Sequence, residues 1–508
     1  MPTPGAVRRP SIRRCALPSP PTIETSIRMS TTDLGTDRPV PPRSRPDRSA
    51  APALHPLMLR LHFYAGILVA PFILIAAVSG GLYALAPTIE QLVYRDQLHT
   101  DATGPAVPVA EQIRVAAGQR PDLTVTAVRP AAAPGETTRV LFADPSLGES
   151  QRLAVFVDPV TARPLGELAV YGSSSALPVR TWISQLHRHL HLGEPGRLYS
   201  ELAASWMWVI ALGGVYLWVR RYRTVRARHA QARLLTVDRT ATGRSRTLGW
   251  HGVVGVWIAV GLVFLSATGL TWSRFAGDNI AELRAALHWK TPTVDATLTG
   301  GGAAAATGHE GHGGHAGHAA DPGLLDANIA RIDPVLDTAA AAGLTGVVEA
   351  SIPARPGTAF TVAETRQPWV YGIDSVAVDG ATGEVVDVSR FADWPLAAQL
   401  TWWSITLHMG IMFGLVTQVA LALLAVALIT VVLRGYVMWW RRRPTRGSAW
   451  AVGRAPARGA LRRIGAGPAV AIGVAAAVVG WFAPVLGLSL LAFLVVDTAV
   501  GWRMRGRA

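Results

Sequence analysis

The sequence predicts an α-helical integral membrane protein with four principal spans, a C-terminal membrane hairpin and two extracytoplasmic α+β domains, all arranged by internal duplication. Three observations carry that expectation. Four stretches, 61–86, 199–219, 250–272 and 409–433, hold the roughly 20 mostly apolar residues that a bilayer crossing requires. Arginines gather directly after the second and fourth stretches, eight in 221–249 and eight in 441–463. The chain also repeats itself in two registers. An offset of 221 carries Leu186, His187, Gly193, Gly214, Trp218 and Arg220 onto Leu407, His408, Gly414, Gly435, Trp439 and Arg441. An offset of 189 carries His62, Gly80 and His99 onto His251, Gly269 and His288. One unit therefore occurs twice: apolar span, long polar segment, histidine, apolar span.

Length, 508 residues, is compatible with several domains, but a large share is membrane span. The net charge of +15 follows topology, because both arginine clusters flank spans in the positive-inside pattern. Nucleic-acid binding is excluded on that ground; arginine is simply the basic residue used here, lysine occurring only as Lys290. Cys15 is the single cysteine, so neither a disulfide framework nor a thiolate metal site is available.

Residues 1–54, rich in Pro, Arg, Ser and Thr, read as a disordered cytoplasmic tail, with Met29 a second candidate start. Nothing before 55 resembles a signal peptide, so the first span, 55–86, is expected to act as the insertion signal. Residues 87–198 form the first external segment, 199–220 the second span, 221–249 a cytoplasmic loop and 250–272 the third span. Residues 273–400 form the second external segment, 401–440 the fourth span and 441–467 another basic cytoplasmic loop. The apolar region 468–500, interrupted by Pro484 and Gly487, reads as a hairpin, and Arg503, Arg505 and Arg507 in 501–508 return the C-terminus to the cytoplasm.

Each external segment begins with a helical pattern, Val109 to Ala117 in the first and 326–342 in the second. Alternating runs follow, TVTAVRP, TRVLFAD and RLAVFVDPVTARPLGEL, then GVVEASI, TAFTVAE and DSVAVDGATGEVVDVS. A helix followed by short antiparallel strands is the natural reading. The insertion 300–323 is low-complexity and carries His309, His312, His315 and His318.

The strand-turn-strand runs VFVDPVTARPLGEL (155–168) and VAVDGATGEVVDVS (376–389) resemble the hallmark of PepSY domains, and LHRHLHLGEPGRLYSEL with the spans resembles the PepSY-associated transmembrane helix family. The resemblance covers roughly 55–440 and most of the hairpin. Ala162 stands where that hallmark usually has glycine. Some members of the family are haem-binding inner-membrane reductases of ferric siderophores. The resemblance therefore implies two b-type haems, a ferric-siderophore or other metal-complex substrate, and an electron donor that is a quinol or a partner reductase.

The residues permit such a cofactor. An imidazole in or beside hydrocarbon needs a partner. If the two units pack about a pseudo-twofold axis, His62 faces His251 and His187 faces His408, and facing imidazoles can hold haem iron from both sides. Structural histidines at helix ends would be duplicated equally well, so both readings stand. His189 and His191 are alternative ligands to His187, which the repeat register selects. His99 and His288 are expected as solvated helix-end residues. One geometric obstacle is visible: a continuous helix from His408 to Arg441 would run about 50 Å against a hydrocarbon core of about 30 Å. Pro195 can break the first unit there, whereas the second offers only Gly410 and Gly414.

The loop histidines can capture Cu(II), Zn(II) or Ni(II), though ordering a flexible loop costs entropy. Asp497 reads equally as a functional intramembrane carboxylate or as an interface marker. The tryptophans at 206/208, 402/403 and 439/440 read as interfacial belts. No dinucleotide fingerprint, Walker loop, nucleophile elbow or zincin motif is present. The alternatives to a reductase are a peptide- or protease-binding module on a membrane anchor, and copper or zinc handling through the histidine-rich loop. Assembly as a homodimer is left open.

Overall fold

A computed structural model describes residues 51–228, 233–298, 321–441, 456 and 465–505. His309, His312, His315 and His318 lie outside the described residues.

The first membrane element is two nearly continuous helices, α1 (Ala51–Leu68) and α2 (Ala70–Val93). Pro71 explains the break: it has no N–H for the carbonyl of Ile67, and the Tyr436 hydroxyl donates to that carbonyl instead, at 2.9 Å. The short helix α3 (Arg95–Leu98) leads into α4 (Val109–Gln119) and the strands β1 (Thr124–Arg129), β2 (Thr138–Ala143), β3 (Gln151–Val157) and β4 (Pro164–Tyr171). The chain returns through α5 (Pro178–His189) and the long α6 (Glu194–Arg226). The second half runs α7 (Gly243–Thr271), α8 (Phe275–Ala286), α9 (Pro322–Ile329) and α10 (Ile332–Ala341). It continues with β5 (Val348–Ser351), β6 (Phe360–Glu364), β7 (Ser375–Val378) and β8 (Val385–Ser389), then α11 (Leu396–His408) and α12 (Leu415–Trp440). The helices α13 (Ala466–Phe482) and α14 (Pro484–Arg505) close the chain. Among the described residues, α2, α6, α7, α12 and α14 are long and apolar enough to cross a membrane. The protein is a multi-pass membrane protein.

The two α+β segments do not stand as separate domains. Their eight strands form one antiparallel sheet in the order β4-β3-β2-β1-β5-β6-β7-β8. The joint is made by β1 and β5, with Ala127 opposite Ser351 and Val128 opposite Ala350. Each would otherwise present an open edge, and pairing removes both edges at once. A single core covers one face, combining Ile113, Phe142 and Val155 with Ile332, Phe360 and Val376. The carboxylate of Asp333 in α10 locks the halves further by accepting from the Val109 and Ala110 N–H groups at 2.7 and 3.0 Å, capping α4. The opposite face packs Ala127, Leu141 and Phe156 against Leu98 of α3 and Leu177 at the start of α5. The sheet thus lies between its own helices and the membrane bundle.

Three sequence expectations are corrected. The fourth span is not continuous: α11 ends at His408, Gly410 and Gly414 take φ of 78° and 55°, and α12 starts at Leu415. The chain breaks likewise between α5 and α6, where Leu190, His191 and Gly193 take φ of 54°, 55° and 63°. The alanine-rich helix 326–342 is two helices, because Pro334 supplies no N–H to the Ala330 carbonyl. Trp206 and Trp402 are buried at 5% and 1% exposure, so they are core and not belt residues; the Trp206 indole N–H donates to Ser489 at 2.8 Å. Asp497 is paired, its carboxylate meeting the guanidinium of Arg60, which ties α14 to α1.

Candidate functional site

His62 on α1 and His251 near the start of α7 face each other, with ring centroids 6.3 Å apart and planes at 77°. Each ring is held from a neighbouring helix. His62 Nδ1 donates to the Ile210 carbonyl at 3.0 Å, and His251 Nδ1 to the Val431 carbonyl at 2.9 Å. A carbonyl can only accept, so both rings carry their proton on Nδ1 and leave the Nε2 lone pair free.

The second two histidines lie at the sheet end of the bundle, His187 in the last turn of α5 and His408 at the end of α11. His187 Nδ1 meets Ser79 Oγ at 3.0 Å, and His408 Nδ1 meets Thr268 Oγ1 at 2.6 Å. Both hydroxyls already donate to their own helix, Ser79 to Ile75 and Thr268 to Phe264, each at 2.8 Å. Their oxygens therefore accept from the imidazoles, and these rings too keep Nε2 free. From His62 to Ser79 is 17 residues, about 25 Å along the helix axis, which separates the two layers of histidine.

Glycines clear the ring faces. A Cβ at Gly80 would stand 2.9 Å from His187 Cε1, one at Gly214 3.1 Å from His62 Cε1, and one at Gly435 3.6 Å from His251 Cε1. Beside Ser79 an apolar cleft of about 280 Å³ opens between Leu74, Ile75, Val78 and Leu186. Trp272 packs edge-on to His408 at 5.3 Å.

The other candidates sit elsewhere. His189 ends α5 and His191 follows it, their rings 6.1 Å apart, with Trp182 on His191 at 5.0 Å. Leu190 and His191 take left-handed φ of 54° and 55°, which ends the helix between the two histidines. His99 is exposed and bonds Gln91 at 3.2 Å, and His288 is exposed with φ of 57°. Among the described residues no group of three or more His, Cys, Asp or Glu side chains is placed to hold a metal ion.

Sequence reasoning did not find the Nδ1 partners, although the signal was there: Ile210 and Val431 are 221 apart, and Ser79 and Thr268 are 189 apart. The same two offsets relate the histidines they hold. The family description PepSY-associated TM region matches residues 59–442, a stretch that contains all four histidines and all four partners. The chain belongs to this family. No curated protein matches it. Within this PepSY-associated TM protein the chemistry of His62 and His251, facing rings with Nδ1 engaged and the Nε2 lone pairs free, fits a metal-bearing cofactor held by imidazoles. Their ring centroids stand 6.3 Å apart, and Gly214 and Gly435 lie beside them.

Proposed function

We propose that this protein carries electrons across the membrane through two b-type haems and reduces a ferric siderophore or another metal complex at the sheet-bearing face. His62 and His251 would ligate one haem, His187 and His408 the other. The observation that carries the reading is that four imidazoles, of which His62 and His251 face each other at 6.3 Å, are all held through Nδ1 with Nε2 free, as ligation through Nε2 requires. Bound there, haem supplies one-electron transfer between the two layers. The chain's own residues orient the rings, fix their tautomers and surround them with apolar helices that keep water out. The arginine-rich loops favour a cell-membrane protein with both termini cytoplasmic, which puts the sheet outside. The electron donor would be a quinol or a reductase acting from the other face.

The test is the absorption spectrum of detergent-purified protein, oxidised and then reduced with dithionite, for wild type, His62→Ala and His408→Ala. A Soret band with sharp reduced α and β bands, diminished in either variant, is expected. Colourless protein from haem-replete cells would sink the proposal and leave a peptide-binding membrane anchor in its place.

A further inference from the structure

The sheet face turned toward the bundle carries charge that its architecture does not need. Arg129 on β1 and Arg139 on β2 stand directly opposite each other, an arrangement of like charges that costs stability. At the same place in the second half, β5 and β6 set Ser351 opposite Thr361, and the Thr361 N–H donates to the Ser351 hydroxyl at 3.0 Å. On β3, Arg152 reaches Glu349 of β5 at 2.8 Å, three strands away, so long side chains from four strands meet on this face.

The cations converge there. Arg129 binds Glu349 through Nε at 2.5 Å and the Ser173 carbonyl through Nη2 at 2.8 Å, and Arg366 reaches the Ser173 hydroxyl at 3.2 Å. Arg139 packs over the Phe156 ring at 5.6 Å and makes no ion pair among the described residues. Burial and the neighbouring Arg129 push its guanidinium down to about 10. From below, α5 presents Arg180, 6% exposed, which touches Glu90 at 3.4 Å and lies over the Tyr83 ring at 5.7 Å, while its Nε and Nη2 are buried with no hydrogen-bond partner among the described residues. Four guanidiniums, of Arg129, Arg139, Arg152 and Arg180, thus meet three carboxylates, Glu90, Glu349 and Glu136. Buried charge is costly unless it is paired, and an anion would complete this set.

We infer that this arginine-bearing face binds an anionic, carboxylate-rich ferric chelate and holds it above the His187 end of the bundle. Planar guanidinium forks match carboxylates two bonds at a time. Arg180 stands seven residues before His187, about 10 Å along the same helix, which brings the ligand toward the outer histidine pair. The metal's role rests on the electron-transfer reading, whereas binding needs only the arginines.

The experiment is calorimetric titration of the full-length protein in detergent with gallium(III) citrate, a redox-inert stand-in for the ferric complex. Wild type and the control Arg120→Gln, remote from this face, are expected to bind alike. Arg139→Gln and Arg139→Met, two ways of removing the charge so that one failing to fold leaves the other, should weaken binding roughly tenfold or more, and Arg139→Lys should recover part. Folded charge-removal variants that bind as wild type would overturn the inference. So would displacement by inorganic phosphate as effective as by citrate at equal ionic strength, which would mark a generic anion site. Colourless protein that still binds gallium citrate through Arg139 would sink electron transfer and leave this inference standing. Haem-loaded protein reducing ferric citrate with an unaltered KM in Arg139→Gln would do the reverse.

Discussion

The Thr268 hydroxyl takes the Nδ1–H of His408 at 2.6 Å while giving its own proton to the Phe264 carbonyl at 2.8 Å. That double role fixes the imidazole's tautomer and its orientation. Thr268→Val keeps the shape and removes the acceptor. Partners of this kind are worth about 10- to 100-fold in metal affinity when lost, so haemin titrated into apoprotein should bind the sheet-end site that much more weakly. Ser79→Ala should act the same way through His187. Unchanged affinity in both would show that the hydroxyls do not set the rings.

Gly80 tests the same layer by sterics. A methyl group there would lie 2.9 Å from His187 Cε1, whereas at Gly214 it would lie 3.1 Å from His62 Cε1. Alanine otherwise favours a helix by about 1 kcal/mol over glycine, so lost haem in a protein that melts no earlier isolates the ring contact. Gly80→Ala is expected to empty the sheet-end site preferentially, and Gly214→Ala to perturb the other site more mildly. Resolved redox titration of the two proposed haems separates these outcomes.

Much of this arrangement was legible in the chain, and the parts that were not share a cause. Strands fall where period-two alternation placed them, and the offsets of 221 and 189 put His62 opposite His251 because repeat symmetry is a long-range statement written into local sequence. The β1–β5 joint was not legible, since alternation is silent on which free edges meet. The break after His408 depended on whether Gly410 and Gly414 adopt positive φ, which glycine permits without requiring. Arg129, Arg139 and Arg152 look like ordinary solvent-facing strand residues until their face of the sheet is seen to pack against α3 and α5.

Tyr436 and Pro71 form a testable pair. The hydroxyl serves the Ile67 carbonyl that proline leaves without a helical donor, and in hydrocarbon an unserved carbonyl is costly. Tyr436→Phe should destabilise the protein by about 1 kcal/mol. With Pro71→Ala already in place the backbone N–H can supply the bond, and the tyrosine change should become nearly neutral. A double-mutant cycle of unfolding free energies in detergent measures the coupling; strict additivity would rule the account out.

Glu349 gives the sheet an acid limit. Burial pushes its carboxyl up, but the guanidiniums of Arg129 and Arg152 outweigh that and hold it below the usual 4.5. A depressed native value means the stabilisation is complete above 4.5 and is lost as pH falls from there through the native value. Glu349→Gln should lower stability at neutral pH by about 3 kcal/mol, because two arginines lose their shared partner, and should flatten the acid limb. Thermal midpoints between pH 7 and pH 3 check both signs; a variant with an acid limb as steep as that of wild type would place the titrating group elsewhere.

The two strand-turn-strand hairpins differ at one backbone position, and the difference has a sign. In both, an aspartate organises the turn: the Asp158 N–H bonds the Arg163 carbonyl and the Asp379 N–H the Glu384 carbonyl, each at 2.9 Å. Their side chains accept from the Val160 and Ala381 N–H groups at 2.9 and 2.8 Å. The left-handed position is filled by Ala162 at φ of 54° in the first hairpin and by Gly383 at 75° in the second. A Cβ in that region costs about 1–2 kcal/mol, partly offset because glycine gives the unfolded chain about 0.4–1 kcal/mol more entropy to lose. Ala162→Gly should therefore stabilise the protein by roughly 0.5–1 kcal/mol and Gly383→Ala should destabilise it by a similar amount. Measured together as denaturant midpoints, the two substitutions control for each other, since any effect of composition alone would run in opposite directions without regard to the turn. A destabilising Ala162→Gly would mean that the alanine methyl makes contacts worth more than the strain it carries.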